Sequence, residues 1–341
     1  MAPRPSLPRV ALQPCYTWLP PPLPPSTLQD VYLALLSEEM LRPLVLPVEL
    51  LDEMGYPKVI DNSSMATVWM QPAPWLRRHQ LDADAPTFSP GASYRDMRAC
   101  SRCRIMFNTR SEVHPTPCVY HWGRTEEDQF GYRRHTCCYA PVGSSGCASV
   151  SFHVHQSLMP GQNGPLQGYV QAQSPRGGVF ALDAEMIYTT AGMELASIAI
   201  IDVNGNAVYQ TFVRPEEKIL DCNTMFSGIR PEDVLCADKS LKDVQSDILK
   251  FVGSDTILVG HSLDNDLRAL KFIHGTVIDT SALYPDRRGL PFRRALRDLT
   301  KEYLGREIQQ GQEGHAPVED ARAALELALL VAEERLYNRQ R

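Results

Sequence analysis

Asp183-Ala-Glu185 closes the apolar run Val179-Phe-Ala-Leu. Two acids spaced i, i+2 on a strand point to the same face. Carboxylates crowded at the end of a buried strand repel one another and lose water, and a cation between them relieves both costs. The bland alternative is two ordinary surface acids at an exposed strand end. A second acidic group stands in Gly260-His-Ser-Leu-Asp264-Asn-Asp266, where an apolar strand runs into a helix. Asp266 falls early in that helix, from which a carboxylate can look back across the sheet edge. Capping by Asp264 or Asn265 is the structural account of the same stretch. A third group is His315-Ala-Pro-Val-Glu-Asp320. Pro317 suits a first helical turn, which leaves His315 in the loop before it and Asp320 inside it, able to converge on one point.

A different chemistry is written further upstream. Cys100-x2-Cys103 and Cys118-x2-His121 have the ligand spacing of tetrahedral zinc. Cys137, Cys138, Cys147 and His153 follow, which makes enough ligands for two Cys₃His sites. Spacing leaves their pairing open. His114 and His155 are alternative ligands, and Cys15, Cys222 and Cys236 look like bystanders. Buried free thiols are the competing account.

The elements that must position the acids follow from periodicity. Val179 to Asp183 reads as a buried strand. Glu194 to Val203 is β-branched and ends at Asn204-Gly205, a hairpin signal, with Ala207 to Val213 returning. Leu241 to Val252 has helical spacing. Thr256 to Gly260 is a short strand, Leu263 to Ile273 a helix and Val277 to Asp279 another strand. Arg294 to Leu304 and Val318 to Arg335 read as helices. Strands in a meander that then alternate with helices predict a mixed sheet with helices on its faces. Upstream, residues 1–27 are Pro-rich and expected to be extended or disordered. Residues 28–94 are mixed, with a helix expected over Leu28 to Leu41 and prolines discouraging long elements after it. Residues 95–157 form the Cys/His module, and the Gly-, Pro-, Gln- and Ser-rich residues 158–177 read as a linker to the domain at 178–334.

With 341 residues and 43% apolar content, the chain can build two folded units. The formal net charge of −6 argues against coating nucleic acid by bulk electrostatics, though not against gripping one strand end in a local basic groove. Nine cysteines, an odd number in tight local clusters, fit metal binding in a reducing compartment better than a secreted disulfide framework. No apolar run suits a signal peptide or a membrane span, so an intracellular protein without membrane contact is expected.

The three acidic motifs, LDAEM, GHSLDNDLRAL and HAPVEDA, in that order and each on its expected element, resemble the DEDDh exonucleases. The likeness covers residues 178–334. It differs at Ala316, where family members often carry a polar residue after the histidine. The runs CVYHWG, YRRHTCC and SSGC, with LDAEMIYTTAGMELASIAIIDVNG and FSGIRPEDV, are similar to the RNA exonuclease 1 homolog and exonuclease GOR subfamily over roughly 95–334. The cysteine-rich ligand order also resembles CHORD modules, which implies a binding or scaffolding role for that segment. The resemblance implies an α/β fold of the ribonuclease H-like kind: a mixed five-stranded sheet with flanking helices, preceded by a small Cys/His zinc-binding module. It implies metal-dependent 3′→5′ release of 5′-mononucleotides by two-metal hydrolysis. Asp183, Glu185, Asp266 and Asp320 would hold two Mg²⁺ or Mn²⁺ ions, and His315 would be the general base. One or two structural Zn²⁺ ions, single-stranded RNA 3′ ends as substrate, and a nuclear or nucleolar location are implied in the same way. DNA as substrate, or a zinc-dependent interaction protein with a vestigial nuclease domain, are the alternatives. A protein partner through the N-terminal or zinc region is allowed for. Candidate substrate contacts are Met186, Leu195, Arg293 and Arg294, the last two from a basic stretch that also holds Arg287, Arg288 and Arg297. Charge balance by Asp298 and Glu302 on a solvated helix face is the competing account.

Overall fold

The computed structural model describes residues 37–59, 66–68, 97–111, 116–156, 168–309 and 316–339. Its centre is an eleven-residue strand, β1 (Val179–Thr189). The chain reverses at Thr190-Ala191 into β2 (Gly192–Ile201), antiparallel to it, and again into β3 (Ala207–Phe212). The second reversal is the expected one. Gly205 has φ of 80°, and the Asp202 carboxylate accepts from the Asn204 and Asn206 backbone N–H groups. On the other side of β1 lie two strands parallel to it and to each other, β5 (Ile257–Gly260) and β6 (Val277–Asp279). The order β3-β2-β1-β5-β6 is the expected five in a row, and a short sixth strand, β4 (Ile219–Asp221), pairs with the far end of β1.

Alternation along β1 decides what each face meets. Val179 and Ala181 face the long helix α4 (Pro317–Arg339), which packs Ala321, Leu325, Ala328 and Ala332 against them and against Ile201, Ile257, Val259 and Ile278. Phe180, Leu182 and Ala184 face the opposite layer, where α1 (Leu241–Ile248) brings Val244 and Ile248 and α2 (Asp264–Ala269) brings Leu267. Asp183 and Glu185 continue the odd-numbered set, so they belong to the α4 face. Alanines on α4 let it lie close to the sheet, with its first turn at the strand ends. A further helix of this half, α3 (Leu296–Tyr303), packs Leu296 and Leu299 against Ala323 and Leu327 of α4.

Three expectations change. The helix expected over Leu263 to Ile273 ends at Ala269. Lys271 has φ of 49°, and Phe272–Ile273 becomes a two-residue strand. That strand pairs in parallel with Val170–Gln171, inside the stretch expected to be a linker. The buried Gln245 amide donates to the carbonyls of Gly168 and Leu270 and holds the two segments together. Of the linker, therefore, 168–177 is part of the folded body, while 158–167 lies outside the described residues. Third, the region before the Cys/His module is no separate unit where it is described. Residues 37–41 are helical, the C-terminal end of the expected Leu28–Leu41 helix. Leu41 and Leu44 join the α4-side core, whereas Leu46, Leu51, Met54 and Tyr56 join the other side. The Leu46 N–H donates to the Val277 carbonyl, so this strap folds around the outer edge of β6.

The Cys/His module is built from strand pairs of three residues each: Met97–Ala99 with Met106–Asn108, Cys118–Tyr120 with Ala148–Val150, and Thr125–Glu127 with Arg133–His135. Its core is Cys100, Phe107, Cys118 and Val154. Arg102 docks it on the sheet domain, donating to Asp221 at 2.7 Å between the rings of Tyr120 and Tyr188. No described helix is long and apolar enough to cross a membrane.

Candidate active site and metal clusters

β1 outruns its parallel neighbour. Pairing with β5 ends at Ala181–Val259, so the next residues of β1 stand free on that side at the carboxyl end of the sheet. The N–H of Ala184 would be orphaned there, and the Asp266 carboxylate accepts it at 2.8 Å. A register shift between Glu185 and Met186 against β2 bends the strand just after the acids. Asp183 and Glu185 meet Asp320 in the first turn of α4. Carboxylate oxygens of these three lie within 4.8 Å of one another. Gln309 donates to Asp320 at 2.7 Å.

The electrostatics are those of a site built around a cation. Loss of water raises the Asp183 carboxyl well above its ordinary value, and Asp266, Asp320 and Glu185 push it the same way. Burial raises Asp266 too, against the Ala184 N–H, which stabilises its charge. Three convergent carboxylates with a fourth beside them, all hard oxygen donors, fit a divalent cation of the Mg²⁺ or Mn²⁺ kind. Asp266 is within electrostatic reach but is not one of the three whose oxygens converge. Asp264, its rival, is ion-paired with Arg268 at 2.8 Å and with Arg293, and is consumed by them. His315 lies outside the described residues.

Asp279 is the residue that sequence reasoning missed. Fully buried at the end of β6, it accepts from the N–H groups of Ser262, Leu263 and Ser281 and from the hydroxyls of Ser281 and Tyr56. It thereby fixes the turn that launches α2 and Asp266. The only sequence signal was an acid at the end of a predicted strand. His261, in the same turn, is half-buried, and loss of water keeps its pKa down. Its Nε2–H donates to the Arg294 carbonyl, which leaves Nδ1 to accept from the Thr280 hydroxyl. With both ring nitrogens engaged, it is a structural histidine.

A cleft opens in front of the acids, walled by Asp183, Asp320, His261, Arg288, Arg293 and Arg294 and by Arg124 from the Cys/His module. The candidate substrate residues divide. Arg293 reaches the cleft but is held by Asp264 and the Met54 carbonyl. Arg294 pairs with Glu302, Arg288 with Asp286 at 2.8 Å, and Arg297 with Asp298 at 3.6 Å. Much of the basic stretch is thus balanced by acids. Met186 is half-buried beside the acids. Leu195 is 3% exposed in the core and corrects the expectation of a substrate contact: it supports the sheet from behind.

The ligand pairing in the cysteine module is interleaved. Cys100, Cys103, Cys118 and His153 form one cluster, and His121, Cys137, Cys138 and Cys147 the other. Cys118 and His121 part company: Cys118 opens the strand Cys118–Tyr120 and joins the first cluster, whereas His121 follows that strand and joins the second. In the first cluster the Sγ atoms of Cys100 and Cys118 are 3.6 Å apart, and Cys103 Sγ is 3.3 Å from His153 Nδ1. In the second, His121 Nδ1 is 3.6 Å from Cys137 and 3.4 Å from Cys138, and Cys147 is 3.5 Å from Cys137. A tetrahedral ion with metal–sulfur bonds of about 2.3 Å holds its sulfurs about 3.8 Å apart, so both clusters are close to the size zinc requires. Burial works against ionisation of Cys100, but the N–H groups of Cys103, Val154 and Arg102 outweigh it and bring the thiol down to about 6. His155 is buried outside both clusters, Nδ1 at 3.0 Å from the Gln156 carbonyl. Cys222 and Cys236 are also outside them; Cys15 and His114 lie beyond the described residues.

Residues 180–328 match the exonuclease family model, and residues 98–151 match the model of the RNA exonuclease 3 middle domain. The chain carries an exonuclease-family domain behind an RNA exonuclease 3-type middle domain. The chain is 41% identical over 258 residues to exonuclease GOR of Pan troglodytes, an alignment covering 72% of this chain and 36% of that protein. It is 40% identical over 244 residues to human RNA exonuclease 1 homolog, covering 68% and 20%, and 37% identical over 245 residues to RNA exonuclease 3 of Schizosaccharomyces pombe, covering 68% and 43%. The matched part is thus less than half of each of these relatives. Among solved structures, the catalytic unit of Neurospora crassa Pan2 aligns at 24% identity over 51% of this chain and 29% of that one, with a TM-score of 0.41. The exonuclease domain is the mixed-sheet α/β unit described above, and the middle domain, with His153 just past its matched end, supplies both Cys/His clusters.

Proposed function

We propose that this protein removes 5′-mononucleotides from the 3′ ends of single-stranded RNA by metal-dependent hydrolysis. The observation that carries the reading is the convergence of Asp183, Glu185 and Asp320 within 4.8 Å in an arginine-walled cleft of an exonuclease-family domain. Asp183, Glu185 and Asp320 are the metal-holding residues, with Asp266 completing the set from α2. A divalent cation bound there would make water more acidic and stabilise charge on the leaving oxygen. His315, five residues before Asp320 in the sequence, takes the proton from the attacking water. Arg288 and Arg294 at the cleft wall face the substrate backbone, where a phosphate can compete with the exposed Glu302 for Arg294. The two Cys/His clusters hold one zinc each and serve as structure. RNA is preferred over DNA because the curated relatives are named RNA exonucleases and the RNA exonuclease 3-type module adjoins the cleft.

The test is digestion of matched 5′-labelled RNA and DNA oligonucleotides by purified protein with Mg²⁺ or Mn²⁺. The expected result is a ladder that shortens from the 3′ end of RNA with mononucleotide release, abolished by Asp183→Asn and by His315→Ala. Preferential digestion of DNA would replace the substrate. No metal-dependent mononucleotide release from either would overturn the reading.

A further inference from the structure

Arg124 belongs to the middle domain but lines the cleft of the exonuclease domain beside Asp183 and Asp320. Its backbone is held by the second Cys/His cluster. The preceding Gly123 N–H donates to the Cys137 thiol, and the Arg124 carbonyl accepts from Thr136 N–H at 2.8 Å. The fit at Gly123 is tight: a Cβ there would meet the Cys137 nitrogen at 2.4 Å. The His121 ligand stacks on His135, ring centroids 3.7 Å apart, under the same turn. Trp122 meets Phe226 of the exonuclease domain edge-on at 6.3 Å, a second anchor for the turn. The Arg124 guanidinium is half-exposed, 2.6 Å from Glu126 and 3.7 Å from Asp298.

Resting on the nuclease reading above, we propose that the second Cys/His cluster is part of the substrate site: it holds Arg124 at the cleft wall to grip a backbone phosphate of the RNA strand. Exposed ion pairs such as those with Glu126 and Asp298 are weak, so a phosphate can displace them. Guanidinium and phosphate then form a charge-assisted, two-pronged contact. Metal at a cluster remote from the reacting phosphate thereby governs how tightly the strand is held. The competing role for Arg124 is a latch, in which its contact with Asp298 only clips the two domains together.

The two roles separate on charge. Binding is read by fluorescence anisotropy with a labelled single-stranded RNA in the Asp183→Asn background, and KM with the otherwise wild-type enzyme. Arg124→Ala weakens binding and raises KM about tenfold, as expected for one charge-assisted contact. It also lowers the slope of log affinity against log salt by about 0.7. Arg124→Lys recovers part of the binding, and Asp298→Asn leaves it equal or tighter because a competing anion is gone. Cys137→Ser, checked by its zinc content, copies Arg124→Ala, and combining the two adds little further loss. Weakening by Asp298→Asn equal to that of Arg124→Ala would make Arg124 a latch and overturn the proposal. So would an Arg124→Ala protein that binds RNA with unchanged affinity and salt slope. A wild-type protein that hydrolyses no nucleic acid defeats the nuclease reading itself, whereas active wild type with unchanged Arg124→Ala defeats this inference alone.

Discussion

The two domains of this chain are held together by opposite means. The exonuclease domain buries two continuous apolar layers on either side of β1, and its acids sit where those layers end. The middle domain has strands of three residues and a core that includes two of its own clustered cysteines. In the first, hydrophobic burial fixes the backbone and the polar site is placed on it. In the second, the polar site is what fixes the backbone, because so small a core cannot offset the entropy of ordering the chain.

Chelation should separate the domains most sharply. Structural zinc supplies on the order of 10 kcal/mol to small domains. Removing it should abolish amide-exchange protection over 98–151 while β1, β2 and α4 stay protected; uniform loss across both would break the contrast. Asp183→Asn comes next. It should cut kcat by at least about 10²-fold, beyond the usual cost of an outer-shell change. It should also raise the melting temperature of the metal-free protein, because a carboxylate pressed by three others is gone. A fall in that temperature would mean that the acids are not in conflict. Leu267→Ala, in the fully buried layer under β1, should cost about 2–5 kcal/mol in denaturant unfolding and leave zinc content unchanged.

A smaller effect is tied to pH. Asp183 is raised in the folded state, so on leaving acid the unfolded chain gives up this proton first. Metal-free stability should therefore fall as pH rises above the ordinary carboxylate range near 4, until the folded group ionises as well. A cation competes with that proton, so the rise in melting temperature on adding Mg²⁺ should be larger at about pH 8 than at about pH 5. Equal shifts at both would detach the metal from the acids. Ser240→Ala removes the cap of α1, where Ser240 exchanges hydrogen bonds with Asp243. Its expected cost is about 1 kcal/mol, confined to the exonuclease domain.

What could be read in advance follows the same division. Asp183 and Glu185 were legible because strand alternation is a local rule, and Asp320 because Pro317 marks a helix start. The pairing of cysteines was not, because it is settled by which three-residue strands meet across long intervals of chain. Asp279 was hidden for a related reason: its five donors come from residues 56, 262, 263 and 281, and no short motif joins them. The strap was illegible because prolines break its spacing. Leu41, Leu44, Leu46, Leu51, Met54 and Tyr56 show no period, yet each is buried. Arg294 and Arg297 read equally well as substrate contacts or as a balanced face. Only the positions of Glu302 and Asp298 show how they are paired.

That strap bears on where the nuclease can be cut. A fragment starting at residue 178, as the sequence motifs suggest, would bare the edge of β6 and strip leucines from both layers. It would also take the Tyr56 hydroxyl from Asp279 and the Met54 carbonyl from Arg293. Such a piece should be recovered as aggregate. One that restores residues 37–59, even nicked from the rest and added as a peptide, should return to solution as a protease-resistant complex.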